Sequence, residues 1–584
     1  MKNLYFYKKK IIKNNFYCRW NLDLSEAMKI DNQYLLNHKN NNFKKDLNLT
    51  RKYYKFLFNF LHKRLNKKLG INYSKRQWNI LIGRWLRFYV DATYFRYNYL
   101  IKSIKGNKIE NFYFKFNNKN NYIPNTTSDF NAITDSQERN NFYSWQILNY
   151  IRKDYPIEKI KIFKTSSNQK INLDFYYQRF YNFRTIRYNI IVLVNFFLKL
   201  FLKKNSSIIV SSYLSFIKES ILKIKNKSFF FWNHFFMKKN YDLSRILKDK
   251  SIKKKERNNI FEVKKYKGFE GLLLSLLDSY FPTCFLENFH HMDSFVKKNL
   301  IVKNPRFIFT SNEFLYNEFF KHYTALAVAG RSKYIVGQHG SAYGSLSDQL
   351  NTVEELTSDY FLTWGWKQNK NHQPLGLFTQ LGKKKLYINR KINNLLLVNT
   401  NFPHKREFWD INEYYLNNLD EQIKFLKTLD FSLFAKVIVR SHHADKKILH
   451  TLKSIYRKIN NKIIIDNGVK KIEDYTNNNT LIVFSYLSTG FYEFFSRNIK
   501  CISFDSLKKE RYQPKFYKEL NKLNKDKLFF HNGSIASKHI NSMLKENNLE
   551  IPNYNFNRSN CGFIKNYADC DKVNINKINQ ILNK

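Results

Sequence analysis

The sequence predicts an α/β protein made of two consecutive Rossmann-like domains facing a cleft, preceded by a largely helical addition. Three observations carry this prediction. From Ser206 onward, short apolar runs rich in β-branched residues alternate with helical stretches; a second series of the same kind opens at Asn393; and the first 170 residues lack the alternation. Such alternation builds parallel sheets, because each crossover helix covers a sheet face.

The elements follow in order. Residues 1–170 are rich in Lys and Asn, and their clearest helix starts at Trp78 (WNILIGRWLRFYV). Its Trp78, Leu81, Ile82, Trp85, Leu86 and Tyr89 fall on one helical stripe, which points to core packing. Residues 171–385 form the first Rossmann-like domain, the expected acceptor side. Here SSIIVSSYLSFIKESILKI and PRFIFTSNEFLYNEFFKHYTALAVAG each read as strand, turn and helix, and SKYIVGQHG is a strand ending in a polar loop. Residues 386–560 form the second domain, the expected donor side, with strands in NNLLLVNT, AKVIVRSHH, NKIIIDN, TLIVFSYLS and IKCISFD. The connector is placed at residues 375–392, and residues 561–584 form a tail expected to pack back on the first domain. A ligand belongs in the cleft, where strand ends and helix N-termini converge.

Composition bounds the function. At 584 residues the chain is long enough for several well-buried cores. Its five cysteines, Cys18, Cys284, Cys501, Cys561 and Cys570, are scattered without a CxxC pair, which argues against a disulfide framework and a zinc site and for a reducing compartment. The N-terminus MKNLYFYKKKIIKNN has no apolar core of signal-peptide length, so a cytoplasmic location is expected. The most membrane-like run, residues 190–202 (IIVLVNFFLKLFL), is broken by Asn195 and Lys199 and is shorter than the roughly 20 apolar residues of a spanning helix. It reads as a core or interfacial helix. The formal charge of +55 resides in Lys beside abundant Asn, Ile, Phe and Tyr, all residues of A/T-rich codons, so base composition inflates it. It still draws the protein to acidic membrane faces, and an anionic inner-membrane surface is an expected partner.

Three motifs could carry chemistry. Residues 337–344 (GQHGSAYG) follow an apolar strand; their glycines admit a ligand close to the backbone, and His339 offers an imidazole that titrates near neutrality. A helix-capping turn is the plain alternative. Residues 439–445 (VRSHHAD) end a β-branched strand with Arg440, His442 and His443, donors suited to phosphate. Adjacent histidines diverge on a strand and no third ligand lies near, so no metal is expected. Residues 485–493 (SYLSTGFYE) read as a strand–loop–helix junction. There the hydroxyls of Ser488 and Thr489 and the free N–H groups around Gly490 can hold a diphosphate, and Glu493 can reach a ribose or cap the helix. N-capping is the commoner fate of such hydroxyls.

In order and spacing these motifs resemble the CDP-glycerol glycerophosphotransferases and the bacterial sialyl- and Kdo-type transferases. Those carry an HG loop late in the first domain, then a basic His-Pro-like strand end, then a Ser-Ser/Thr strand–helix junction. The chain departs at the His-Pro step, where His442-His443 leaves open which imidazole faces the phosphate. A closer resemblance, over most of the chain, is to an uncharacterised bacterial transferase family of surface-carbohydrate loci. It is carried by residues 78–86, 337–344, 359–366 (DYFLTWGW), 440–445 and 485–493.

The resemblance implies the GT-B fold and a transferase reaction, not a substrate. The expected reaction moves a sugar or sugar- or polyol-phosphate from a nucleotide-activated donor to a hydroxyl of a lipid-linked or glycan acceptor in surface-polysaccharide synthesis, and no cofactor is expected, because fixed positive charge and helix N–H groups can hold the phosphates. His339 is the candidate base, with Asp359 and Glu354 as alternatives or as groups that orient it. Gly340, Arg440, His442, His443, Ser488, Thr489, Gly490 and Glu493 are the candidate donor contacts. An NDP-sugar 2-epimerase would share the fold, but residues 485–493 hold only one carboxylate. A basic protein that binds nucleic acid or membrane without catalysis is the remaining alternative; no RNA- or DNA-binding signature joins the charge to the aromatics, so no specific nucleic acid is expected.

Overall fold

The structure is a computed structural model that describes residues 2–7, 15–22, 24–27, 29–36, 42–117, 123–165, 206–247, 257, 260–261, 265–383, 392–400, 411–442, 448–476, 479–499, 501–546, 562–571 and 573–584. The apolar run 190–202, Cys561 and His443 lie outside these residues.

Three sheets organise the chain, and every pairing recorded within them is parallel. The first adds a parallel sheet to the N-terminal region, which the sequence reads as largely helical. Strands β1 (Lys2–Tyr5), β2 (Asn15–Cys18), β3 (Leu35–Leu36), β4 (Ile109–Lys115) and β5 (Lys159–Phe163) pair in the order β3-β2-β1-β4-β5. Between β3 and β4 run two long helices, α1 (Phe43–Leu69) and α2 (Lys75–Asn107). Gly70, at φ 63°, ends α1, and Ser74 opens α2 through a capping box with Gln77. The stripe of α2 read from sequence is fully buried: Trp78, Leu81, Ile82, Trp85, Leu86 and Tyr89 all sit in the main core.

The second sheet has the sequential order β10-β9-β8-β7-β6. Its strands are β6 (Ile208–Val210), β7 (Phe307–Thr310), β8 (Lys333–Gly337), β9 (Tyr360–Thr363) and β10 (His372–Pro374). Helix α3 (Phe216–Lys225) follows β6, α4 (Glu318–Ala329) follows β7, and the short α5 (Val353–Thr357) precedes β9. Gly83 of α2 lets α5 approach closely, since a Cβ there would lie 2.7 Å from Val353.

The third sheet, β13-β12-β11-β14-β15-β16, starts after the 375–392 connector and shares no strand with the second. It comprises β11 (Asn394–Val398), β12 (Lys436–Arg440), β13 (Ile464–Asp466), β14 (Thr480–Phe484), β15 (Cys501–Phe504) and β16 (Phe529–Phe530). The order reverses between β11 and β14, which opens a crevice at their carboxyl ends where α/β sheets bind ligands. Both faces are buried, which is why these strands read as unbroken apolar runs: Leu396, Val398, Ile482 and Phe484 join the main core, while the alternate Leu395, Leu397, Leu481 and Val483 join a second one. Helices α6 (Ile411–Thr428) and α7 (Thr489–Ser496) belong to this unit. The last helix, α8 (Ile575–Leu582), returns to α3, where Asn226 donates to the Asn579 side chain at 2.7 Å and Lys225 to Asn576 at 2.8 Å.

Candidate functional site

The loop after β8 is held by its own sequence. Gln338 is buried and acts as a clamp: its amide NH2 donates to the carbonyls of Gly340 (2.9 Å) and Tyr343 (3.4 Å), while its oxygen accepts from Trp364 N–H (2.9 Å) and the Trp366 indole (2.8 Å). Gly344, at φ 74°, leaves room for the Trp366 ring, which would lie 2.5 Å from a Cβ. A Cβ on Gly340 would meet nothing within 4 Å among the described residues, so the clamped loop presents one open face to them.

His339 sits in this loop among aromatic rings, with Tyr343, Tyr213 and Phe314 at centroid distances of 5.2, 5.9 and 6.1 Å. Its buried Nδ1 has no hydrogen-bond partner among the described residues. Burial pushes the imidazole down to about 4; the Glu354 carboxylate pulls the other way, and the Arg84 guanidinium of α2 reinforces the shift. The ring is therefore neutral at pH 7 and able to accept a proton. Tyr343 packs edge-on against it and donates its hydroxyl to Glu354 Oε1. Glu354, on α5, is itself buried, so it reaches the imidazole through Tyr343 and through its charge. On the far side, the turn after β6 holds Ser211 and Tyr213 at φ 48° and 63°, left-handed conformations that cost about 1–2 kcal/mol each for residues with a Cβ. Strain of this kind gathers at sites where position matters more than stability.

At the reversal of the third sheet, buried side chains brace the end of β14. Asn418 donates to the Ser485 carbonyl, Gln422 to the Ser485 hydroxyl (3.1 Å), and Tyr456 to Gln422 (2.6 Å). Asp505, after β15, accepts from Leu487 N–H (3.3 Å) and from the Tyr414 hydroxyl, and burial pushes its carboxyl up to about 6. The Ser488 hydroxyl caps α7 by accepting from Phe491 N–H at 3.0 Å. The N–H groups of Thr489 and Gly490 stand ahead of that cap, at the positive end of the helix.

These two loops meet. Ser341 N–H donates to the Thr489 hydroxyl (3.3 Å), and the Ser341 hydroxyl donates to the Leu487 carbonyl (3.1 Å). His339, Gly340, Ser488, Thr489 and Gly490 thus share one neighbourhood at the joined carboxyl ends of two sheets.

Other candidates are placed differently. Asp359 opens β9, whereas His339 follows the end of β8, and the two strands are parallel, so Asp359 stands at the opposite edge of the sheet. There it binds Arg76 (2.7 Å) and accepts from Tyr334 N–H (2.7 Å), a bracing role. Arg440 is engaged by Asp466 (2.6 Å) and by the carbonyls of Gly468 and Lys470, and β11 separates its strand from β14. Its guanidinium holds the β12–β13 edge together. Glu493 accepts from the Thr379 hydroxyl (3.1 Å), which ties α7 to the segment after β10. His442 is half-buried beyond β12, and no cluster of metal-ligating residues occurs among the described residues.

A family model described as LIC12162 family transferase matches residues 5–547, nearly the whole chain. The chain belongs to the LIC12162 transferase family. No curated protein matches it.

For this LIC12162-family member, sequence reasoning missed three contributors to the His339 surroundings. Arg84 lies in the same WNILIGRWL motif, just off its buried stripe; the signal is an arginine set within an apolar run, and it stacks over Phe88 at 4.4 Å. Tyr343 lies inside the GQHGSAYG motif. Tyr213 gave no signal, since only the fold brings the turn after β6 beside the loop after β8.

Proposed function

We propose that the second and third sheets form the two halves of a GT-B transferase, and that it moves a sugar or sugar- or polyol-phosphate from a nucleotide-activated donor to a hydroxyl acceptor in surface-polysaccharide synthesis. The observation that carries the reading is the meeting of the His339 loop with the Leu487–Gly490 junction, two chemically distinct loops from separate sheets. The return of α8 to α3 supports it as well.

In this reading the nucleotide phosphates lie at the start of α7, held by the N–H groups of Thr489 and Gly490 and by the helix dipole, which stabilise the charge that grows on the departing phosphate. The acceptor hydroxyl enters past Gly340. Neutral His339 takes its proton as the new bond to the transferred group forms. Glu354 is a positioning residue that steers the ring through Tyr343. Fixed dipoles supply the electrostatic stabilisation, and the backbone of the junction makes the donor contacts that the sequence suggests for Arg440 and Glu493.

A thermal-shift screen against CMP, CDP, UDP, GDP and dTDP tests the donor class. A cognate nucleotide at about one hundred times its Kd should stabilise the protein by about 2.7 kcal/mol. A melting point that none of the five moves would end the nucleotide-donor reading.

A further inference from the structure

Helix α3 carries an apolar face that no described residue covers. Phe216 is 84% exposed, Ile217 69% and Ile224 66%, and Phe230 just beyond the helix is also exposed. Ile217 and Ile224 are seven residues apart, on one side of the helix, with Phe216 beside them. Scattered apolar residues on a surface need no explanation, but a run of large ones on one short helix does.

The charges around this face have one sign. Residues 211–231 hold Lys218, Lys223, Lys225 and Lys227 against a single acid, Glu219. Glu219 is turned inward, bonded to the Ser212 hydroxyl and to Lys223, whose ammonium also donates to the Phe230 carbonyl. No carboxylate pairs with Lys218, Lys225 or Lys227 among the described residues; Lys225 meets only the Asn576 amide. The exposed face is thus apolar and cationic, the pairing that suits a surface of anionic lipid, where apolar side chains enter the acyl boundary and lysines meet headgroups.

The patch is also continuous with the candidate site. Tyr213, three residues before Phe216, is 45% exposed and stands 5.9 Å from the His339 ring. The turn that carries it is the one held at positive φ at Ser211 and Tyr213.

We propose that α3, with Phe216 and Ile217 as its inserting residues, docks the protein on an anionic lipid surface and thereby sets the His339 pocket against acceptors embedded in that surface. The purpose of the docking rests on the transfer reading; the docking itself does not.

The test is flotation of the full-length chain with phosphatidylcholine vesicles with and without about 30% phosphatidylglycerol, at low salt where surface charge is least screened. The wild type should float with the anionic vesicles only. Phe216→Ser/Ile217→Ser should weaken that binding by at least about tenfold with an unchanged melting point, since both side chains are already in water. Lys218→Gln/Lys225→Gln/Lys227→Gln should weaken it by about fivefold per charge and flatten its salt dependence. Undiminished flotation of the Phe216/Ile217 variant overturns the proposal. So does a fall of several degrees in that variant's melting point, which would mean that the chain itself covers the patch. A change from dimer to monomer on sedimentation, with flotation unaltered, would assign the face to a second copy and also overturn it. Because flotation is read without turnover, it and the nucleotide screen fail independently.

Discussion

Ser341 and Thr489, 148 residues apart in sequence, are joined by a backbone N–H to hydroxyl hydrogen bond of 3.3 Å. It links the loop that carries His339 to the start of α7.

His339→Asn should lower turnover by roughly 10²–10⁴-fold, the scale of losing a general base, with nucleotide affinity little changed. Steady-state kinetics beside a nucleotide titration decide this. Weakened nucleotide binding with near-normal turnover would make His339 a phosphate ligand instead.

The pH profile of kcat/KM follows from the same residue. An imidazole at about 4 is already neutral at pH 5.5, so its own titration should add no fall in activity between about pH 7 and 5.5, and with Asp505→Asn, which removes the carboxyl at about 6, the profile should be flat there. An ordinary imidazole, with a pKa of about 6.5, would lose most of its basic form over that interval.

The two flanking glycines should separate packing from access. Gly344→Ala puts a Cβ against Trp366 at a positive φ and should destabilise the fold by about 1–3 kcal/mol. Gly340→Ala meets open space, so it should leave the melting point alone while reducing turnover by narrowing the approach to His339.

Arg440→Ala should act on stability. It removes the ionic partner of Asp466, which keeps the Tyr475 hydroxyl and Gly468 N–H, a loss of about 1–3 kcal/mol, and nucleotide affinity should change little where the fold persists. Chemical denaturation and a nucleotide titration on the same variant check both halves.

Glu355 should give the protein a stability that declines with rising pH. Burial, reinforced by neighbouring Glu354, pushes its carboxyl up to about 8. The folded chain then holds a proton that the unfolded chain has released above about pH 4.5, so stability is lost as pH climbs towards 8. Asp505, at about 6, and His339 and His372, at about 4, have largely titrated below pH 7. Glu355→Gln should therefore flatten the fall in melting point between about pH 7 and 8.

Much of this arrangement was legible in the sequence. Strands buried on both faces, such as NLLLV and TLIVF, read as continuous apolar runs, and polar residues after such a run fall at the carboxyl edge of a parallel sheet. That placed His339 and Ser488. The same polarity could have warned about Asp359, which precedes YFLT and so belongs to the opposite edge. The N-terminal sheet was hidden because β2 and β3 are four and two residues long and two helices of 27 and 33 residues separate β3 from β4. Arg440 looked available because its partner, Asp466, comes 26 residues later on another strand. Pairings of that range are written in the tertiary fold, not in local pattern.

The contact of α8 with α3 also bears on biogenesis. Beside its bonds to Leu222 and Arg306, Asn226 bonds Asn579 and Asn583, so the unit built on β6–β10 acquires these last neighbours only once residues 575–583 have left the ribosome. At a synthesis rate of about 5–20 residues per second, the roughly 200 residues between β10 and α8 take about 10–40 seconds to emerge. Throughout that interval the nascent chain keeps an unfinished surface beside α3, the stage at which a chaperone would have most to shield.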